Sequence, residues 1–125
     1  MGTLTVLPVR PPEGVDAGVT RAMVLWAPVV FMPVAALVAL LAWGVRAAGL
    51  PALGAGLLGV GLLAWLTRAI HLDGLADTAD GLGSGRPAER ALQIMRSGDV
   101  GPMGVVTLIV ALGLQAVCIG ELANR

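Results

Sequence analysis

The chain has 125 residues, of which 57% are apolar and only 13% are charged, against about 45–50% and 25% in ordinary soluble domains. Eight arginines balance eight acidic residues, and this neutrality without a basic tract excludes nucleic-acid binding through a basic patch. The one cysteine, Cys118, excludes an internal disulfide framework and a cysteine-rich zinc site. The class that remains is an integral membrane protein.

Charged residues divide the sequence into three uncharged runs, each long enough for a membrane span. The runs cover residues 22–45, 47–67 and 100–120. A bilayer core about 30 Å thick needs roughly 20 helical residues, and backbone hydrogen bonding in lipid favours a helix in each run. In the second run, the small residues Ala52 and Gly56 would let another helix approach closely. We therefore predict an all-α, polytopic membrane protein, with one domain over residues 1–125 and three transmembrane helices in a lipid bilayer.

The placement of the arginines predicts how the chain is oriented. With three crossings, the amino-terminal tail and the segment between the second and third spans lie on one side. That side holds six of the eight arginines: Arg10, Arg21, Arg68, Arg86, Arg90 and Arg96. The opposite side holds Arg46 and Arg125. The positive-inside rule therefore predicts a multi-pass protein of the cell (inner) membrane whose amino terminus and polar segment are cytoplasmic.

Three aspartates at the start of the polar segment form the candidate site. Asp73, Asp77 and Asp80 are spaced four and then three residues apart, which places them on one face of an α-helix. No arginine lies three or four residues away to relieve their repulsion, but a divalent cation would. Mg²⁺ binds a few carboxylates and completes its shell with waters and substrate phosphates. The cluster therefore predicts a magnesium site, with a solvated helix face or helix-capping aspartates as the alternative.

The polar segment holds four further candidates. His71 is a candidate general base, metal ligand or phosphate donor, or else an interfacial histidine. Residues 86–97 have one apolar and one polar face, which predicts a short amphipathic helix on the membrane surface. Arg90 and Arg96 are candidate ligands of substrate phosphates, with headgroup contact or solvation as the alternative. Asp99 is either a fourth carboxylate of the site or the interfacial stop of the third span.

Residues 71–82, His-Leu-Asp-Gly-Leu-Ala-Asp-Thr-Ala-Asp-Gly-Leu, and residues 89–96, Glu-Arg-Ala-Leu-Gln-Ile-Met-Arg, closely resemble cobalamin synthase, the adenosylcobinamide-GDP ribazoletransferase family. The resemblance implies a magnesium-dependent transfer of α-ribazole, or of its 5′-phosphate, onto adenosylcobinamide-GDP. GMP leaves, and adenosylcobalamin or its 5′-phosphate forms. The resemblance also implies that the catalytic, metal and diphosphate site is formed by His71, Asp73, Asp77 and Asp80.

The chain departs from the family pattern in two respects. It reads Ser97-Gly-Asp99 where many members read Asp-Ser-Arg, and it resembles only the amino-terminal half of a longer fold. A missing carboxy-terminal half is therefore an expected partner, and a catalytically incomplete fragment or a small non-enzymatic membrane subunit is the first alternative. The second is an enzyme like the CDP-alcohol phosphotransferases, because Asp77 to Gly81 reads Asp-x-x-Asp-Gly. The further spaced aspartates of that signature are not in this sequence.

Overall fold

The computed structural model describes residues 16–125, which form five helices and no strand. These are α1 (Ala17–Ala47), α2 (Ala52–Leu66), α3 (Ile70–Gly83), α4 (Ala88–Met95) and α5 (Pro102–Leu122). Two segments, Val24–Ala47 and Pro102–Leu122, are long and apolar enough to cross a membrane. The bent pair of α2 and α3 adds a third if it is counted as one span. The predicted all-α fold is therefore confirmed over the described residues, with two or three helices that could span a membrane.

The second predicted span is shorter than the uncharged run that suggested it. After α1 the chain turns at Gly49, whose φ of 89° is the left-handed conformation that ends many helices. Pro51 then precedes the first residue of α2. The turn occupies residues 48–51, so α2 has only 15 residues and a length of about 22 Å, less than the bilayer core. The run 47–67 overestimated the helix because a lack of charge does not distinguish an apolar helix from an apolar turn.

A sharp bend separates α2 from α3, whose axes differ by 96°. Thr67 is fully buried at the bend, and its hydroxyl donates to the Leu63 carbonyl over 2.8 Å. Arg68 and Ala69 then adopt left-handed φ values of 54° and 55°. The Ala69 N–H donates to the Ala64 carbonyl over 2.8 Å, as in the Schellman motif. The bend therefore lays α3 across one end of the helix bundle.

Replacing Ala69 by glycine is expected to raise the thermal unfolding midpoint of the chain in detergent. The left-handed conformation costs an L-residue about 1–2 kcal/mol, whereas glycine adopts it readily, and only part of this gain is lost to the greater entropy of the unfolded chain. Ala79→Gly within α3 is the matched control and should lower the midpoint, because glycine costs a helix interior about 1 kcal/mol. Equal decreases for the two variants would contradict a strained turn.

α2 lies between α1 and α5 and touches α5 backbone to backbone. A Cβ atom on Gly56 would lie 1.7 Å from the carbonyl oxygen of Ala116, and one on Gly120 would lie 2.1 Å from that of Ala52. The order of these pairs shows that α2 and α5 are antiparallel. The close approach expected from the small residues of the second run is therefore confirmed.

The end of the bundle away from α3 is tied together by Arg46, in the last turn of α1. One guanidinium nitrogen donates to the Leu50 carbonyl in the α1–α2 turn, and another donates to Oδ1 of Asn124 after α5. The positive charge is also favourable there, because the carboxy-terminal end of a helix carries partial negative charge. Arg46 therefore joins the ends of α1 and α5 on the side opposite the acidic helix.

Candidate active site

α3 carries all three aspartates of the predicted site. A helix turns by about 100° per residue, so Asp73, Asp77 and Asp80 lie within an arc of about 60°, and the prediction that they share a face is confirmed. Their surroundings nevertheless differ. Asp73 is exposed, Asp77 is half-buried, and Asp80 is buried with 8% of its surface exposed. One face of the helix therefore presents three carboxylates in different environments.

Asp80 binds the amino-terminal end of α5. The N–H of Gly101, the residue before α5, donates to Oδ2 over 2.7 Å, and the N–H of Gly104 donates to Oδ1 over 2.8 Å. The N-cap of α5 makes no side-chain capping bond. The carboxylate therefore satisfies two backbone amides that a helix start leaves without partners, and its charge lies at the positive end of the helix dipole. Asp80 thus caps a helix that begins more than twenty residues later in the chain.

Both glycines are required by the closeness of this contact. A Cβ atom on Gly101 would lie 2.5 Å from Oδ1 of Asp80. A Cβ atom on Gly104 would lie 2.4 Å from Oδ2 and 3.0 Å from the carbonyl oxygen of Ala76. The sequence did not predict this role for the two glycines. The available signal was a helix start with two glycines and no capping side chain of its own.

Asp77 holds the unsatisfied polar atom of the site. Its Oδ1 is buried and has no hydrogen-bond partner, although an unpartnered buried carboxylate oxygen is energetically costly. Such an atom in a native structure commonly marks a ligand or ion. One helical turn earlier, Asp73 offers a second, exposed carboxylate on the same face. The unpartnered Oδ1 of Asp77 and the exposed carboxylate of Asp73 are hard oxygen ligands of the kind that Mg²⁺ binds, often one or two carboxylates together with phosphates and waters.

The described residues do not assemble the full predicted ligand set. Between residues 16 and 125, no group of three histidine, cysteine, aspartate or glutamate side chains is arranged to hold a metal ion. Asp80 shares the helix face with the other two aspartates, but both of its oxygens accept backbone amides. Magnesium binding stays a prediction, and the placement of the side chains supports it at Asp73 and Asp77.

His71 lies on a different side of α3 from the aspartates. A separation of two residues corresponds to about 200° around a helix, so His71 and Asp73 face nearly opposite directions. The imidazole ring of His71 packs edge-on against Phe31 of α1, with ring centroids 6.3 Å apart and planes at 71°. A catalytic or metal-binding role for His71 stays a prediction that this placement does not support. The contact with Phe31 is a second feature that the sequence did not reveal.

The amphipathic helix predicted within residues 86–97 is confirmed as α4. Ala91 is buried against α3, and a Cβ atom on Gly81 would lie 3.1 Å from the carbonyl oxygen of Ala91. Arg90 is exposed and donates to Oε1 of Gln93 over 2.8 Å. Arg96 is exposed at the carboxy-terminal cap of α4. Both guanidinium groups are thus accessible to an anion, and phosphate binding by them stays a prediction.

Two cavities differ in what they can bind. A cavity of about 410 Å³ opens beside Asp80, and its wall combines apolar residues with Ser84, Ser97 and Asp99. A second cavity of about 520 Å³ lies among α1, α2 and α5, and its wall contains no charged residue. Chemistry at a phosphate requires charged groups, so the candidate site is at the α3 end of the bundle. Asp99 shares a cavity wall with Asp80, and its role as a site carboxylate stays a prediction.

The apolar helices, with an acidic helix across one end of their bundle, define a helical membrane protein with a carboxylate-bearing site at that end. The cobalamin-5-phosphate synthase family matches the chain over residues 1–125. The chain therefore belongs to that family, as the resemblance of its polar segment predicted. This membership favours the cobalamin enzymes over the CDP-alcohol phosphotransferases.

Several curated relatives match the chain along most of its length. It is 46% identical over 125 residues to an adenosylcobinamide-GDP ribazoletransferase of Nocardioides sp., a match that covers 100% of this chain and 55% of the relative. It is 43% identical over 124 residues to a protein of that name from Chlorobaculum tepidum, and this match covers 98% of the chain and 46% of the relative. The chain thus spans about half the length of the curated relatives it matches. No solved structure matches it.

Proposed function

We propose that the chain supplies the metal- and diphosphate-binding part of a membrane enzyme that transfers α-ribazole, or its 5′-phosphate, to adenosylcobinamide-GDP. The observation that carries this proposal is the buried, unpartnered Oδ1 of Asp77, one turn from the exposed carboxylate of Asp73. The relatives' name supports the choice of reaction. A diphosphate substrate calls for a divalent cation, and this pair of carboxylates is suited to hold one.

In the proposed reaction, a ribose hydroxyl oxygen of α-ribazole forms a bond to the cobinamide-side phosphorus. The phosphoanhydride bond to the guanosine-side phosphate breaks, GMP leaves, and the hydroxyl proton is released. The product is adenosylcobalamin, or its 5′-phosphate when the nucleophile carries one. When bound, Mg²⁺ supplies neutralisation of the negative charge that develops on the departing phosphate.

Five side chains at this end of the bundle have roles in the proposed reaction. Asp73 and Asp77 hold the metal ion. Arg90 and Arg96 bind phosphate oxygens from the exposed side of α4, since the planar guanidinium group matches the geometry of a phosphate. The network around Asp80 keeps α3 in place. The metal ion on α3 and the two arginines on α4 would hold the diphosphate from two sides and fix its orientation. Correct orientation alone lowers the barrier to displacement at phosphorus.

We also propose that the protein lies in the cell (inner) membrane with α3 and α4 on the cytoplasmic side. The arginine bias supports this orientation, although one of the arginines counted, Arg10, lies outside the described residues. Alkaline phosphatase fused after Arg125 is expected to be active, because the end of α5 would lie outside the cytoplasm. Green fluorescent protein fused at the same point should stay dark, and bright fluorescence would contradict the orientation.

Since the relatives are about twice as long, we propose that activity requires a carboxy-terminal half like theirs. The test uses the chain alone and a chimera in which the chain replaces the matching part of the Nocardioides relative. Both proteins are reconstituted in nanodiscs with adenosylcobinamide-GDP, α-ribazole and Mg²⁺, and GMP release is measured by chromatography.

The chimera is expected to release GMP only when Mg²⁺ is present, and the chain alone to release none. A folded chimera without activity would contradict the proposed reaction and favour the non-enzymatic alternative. In a parallel reaction with a CDP-alcohol and a second alcohol as substrates, release of CMP would favour the phosphotransferase alternative. GMP release by the chain alone would show that no carboxy-terminal half is needed.

A further inference from the structure

We infer that Asp80 is a positioning residue that locks α3 onto the start of α5, and that it is not a ligand of the metal ion. The part of this inference that concerns the metal rests on the proposed function. The three aspartates look equivalent in the sequence because they share one helix face. In the structure they differ, because Asp80 contacts α5 whereas Asp77 has an oxygen without a partner.

The first argument is that both carboxylate oxygens of Asp80 are already engaged by the start of α5. Each carboxylate oxygen accepts a backbone amide, over 2.7 Å and 2.8 Å, and only 8% of the residue is exposed. Hydrogen bonds to an ionised acceptor are about twice as strong as neutral ones. A metal ion at Asp80 would compete with these two amides for the oxygens, and the buried residue leaves little surface by which an ion could approach. Asp77 has the reverse pattern, with a buried oxygen and no partner for it.

The second argument is that α3 depends on this contact for its orientation. α3 starts at a strained left-handed turn and has no side-chain cap of its own. From Ala76 onward it docks on α5: Ala76 is completely buried, and a Cβ atom on Gly104 would lie 3.1 Å from the Cβ of Ala76. Asp77 lies between the two docking residues, Ala76 and Asp80. Its direction is therefore set by how tightly this stretch is held against α5.

The variant Asp80→Asn isolates the role of Asp80. Its side chain keeps one acceptor but presents an NH₂ group to the second amide, so one of the two hydrogen bonds is lost. Gly104→Ala keeps every carboxylate in the protein but should reproduce the effect, because the added Cβ displaces the side chain of Asp80 from the amides. Gly113→Ala on α5 is the matched control, since a Cβ atom there meets nothing within 4 Å. Asp77→Asn is the comparison for a metal ligand.

The experiment combines a metal-free and a metal-dependent measurement on the chain in nanodiscs. Hydrogen exchange in EDTA reports on the amides of Gly101 and Gly104, and Mn²⁺ binding is followed by electron paramagnetic resonance. D80N and G104A should speed exchange at these amides at least tenfold, whereas D77N and G113A leave it unchanged. The Mn²⁺ dissociation constant should rise at least tenfold in D77N and less than threefold in D80N. In the chimera, D80N should lower kcat without changing the Mg²⁺ concentration that gives half the maximal rate.

Equal losses of Mn²⁺ affinity in D80N and D77N, with slow exchange retained at Gly101 and Gly104 in D80N, would overturn the inference. If D80N does not fold, the G104A variant still tests the inference. Fast exchange of the Gly101 and Gly104 amides in the unaltered chain would also overturn the inference. An inactive chimera with the expected exchange pattern would refute the proposed function and leave the docking role of Asp80 standing. The two failures are therefore distinguishable.

Discussion

Asp77→Asn is expected to lower the rate of GMP release by the chimera at least about 100-fold. Asparagine preserves the shape of the side chain but removes the charge that would hold Mg²⁺ against the diphosphate. Loss of a single electrostatic contact at a transition state typically costs a factor of about 10² to 10³ in kcat. The measurement is the initial rate of GMP release over a range of Mg²⁺ concentrations, with the half-saturating concentration expected to rise.

Glu89→Gln is the control for this variant because it also removes one negative charge, from an exposed side chain on α4. It should leave both the rate and the magnesium requirement within about twofold of the unaltered protein, as expected for an exposed surface charge. A D77N rate that also stays within about twofold of the unaltered protein would remove Asp77 from the site. An equally large decrease in both variants would point to the overall charge of this surface as the cause.

Gly56→Ala is expected to abolish the native packing of α2 against α5. The added methyl group would lie 1.7 Å from the carbonyl oxygen of Ala116, and a backbone atom cannot rotate away as a side chain can. Overpacking a well-packed core typically costs about 1–3 kcal/mol and occasionally more, and we expect the upper end of this range or beyond. Thermal unfolding in detergent, with size-exclusion chromatography, measures the loss.

Gly61→Ala is the matched control on the same helix, because a Cβ atom there meets nothing within 4 Å. It should keep or slightly raise the unfolding midpoint, since alanine favours a helix by about 1 kcal/mol over glycine. If the two variants unfold at the same temperature, α2 and α5 are not in backbone contact. The comparison of the two variants therefore tests the close antiparallel packing of α2 against α5, the helix whose start binds Asp80.

The sequence predicted the helices of this protein better than their ends and angles. Runs without charge located α1, α2 and α5, because lipid excludes charged side chains and requires every backbone group to be paired. The same runs could not show where an apolar turn interrupts them, as at residues 48–51. The bend after α2 depends on Arg68 and Ala69 in left-handed conformations, for which neither residue type is a signal.

The shared helix face of the three aspartates was predicted from the sequence, and the different surroundings of each were not. Helical spacing correctly placed Asp73, Asp77 and Asp80 on one face, because that placement depends on local geometry alone. The partners of Asp80 come from a helix that starts more than twenty residues later, and spacing along the chain carries no information on them. The packing of His71 against Phe31 likewise depends on where the bend after α2 places the start of α3.

Sulfur substitution in the substrate tests the central claim most directly. In adenosylcobinamide-GDP, a non-bridging oxygen on the guanosine-side phosphorus, which departs with GMP, is replaced by sulfur, which Mg²⁺ binds poorly and softer ions bind well. The account predicts that GMP release by the chimera falls sharply with Mg²⁺ and recovers with Mn²⁺ or Cd²⁺, and that the recovery is lost in the Asp73→Asn and Asp77→Asn variants. The same rate decrease with every ion would contradict a metal held by α3 against the diphosphate.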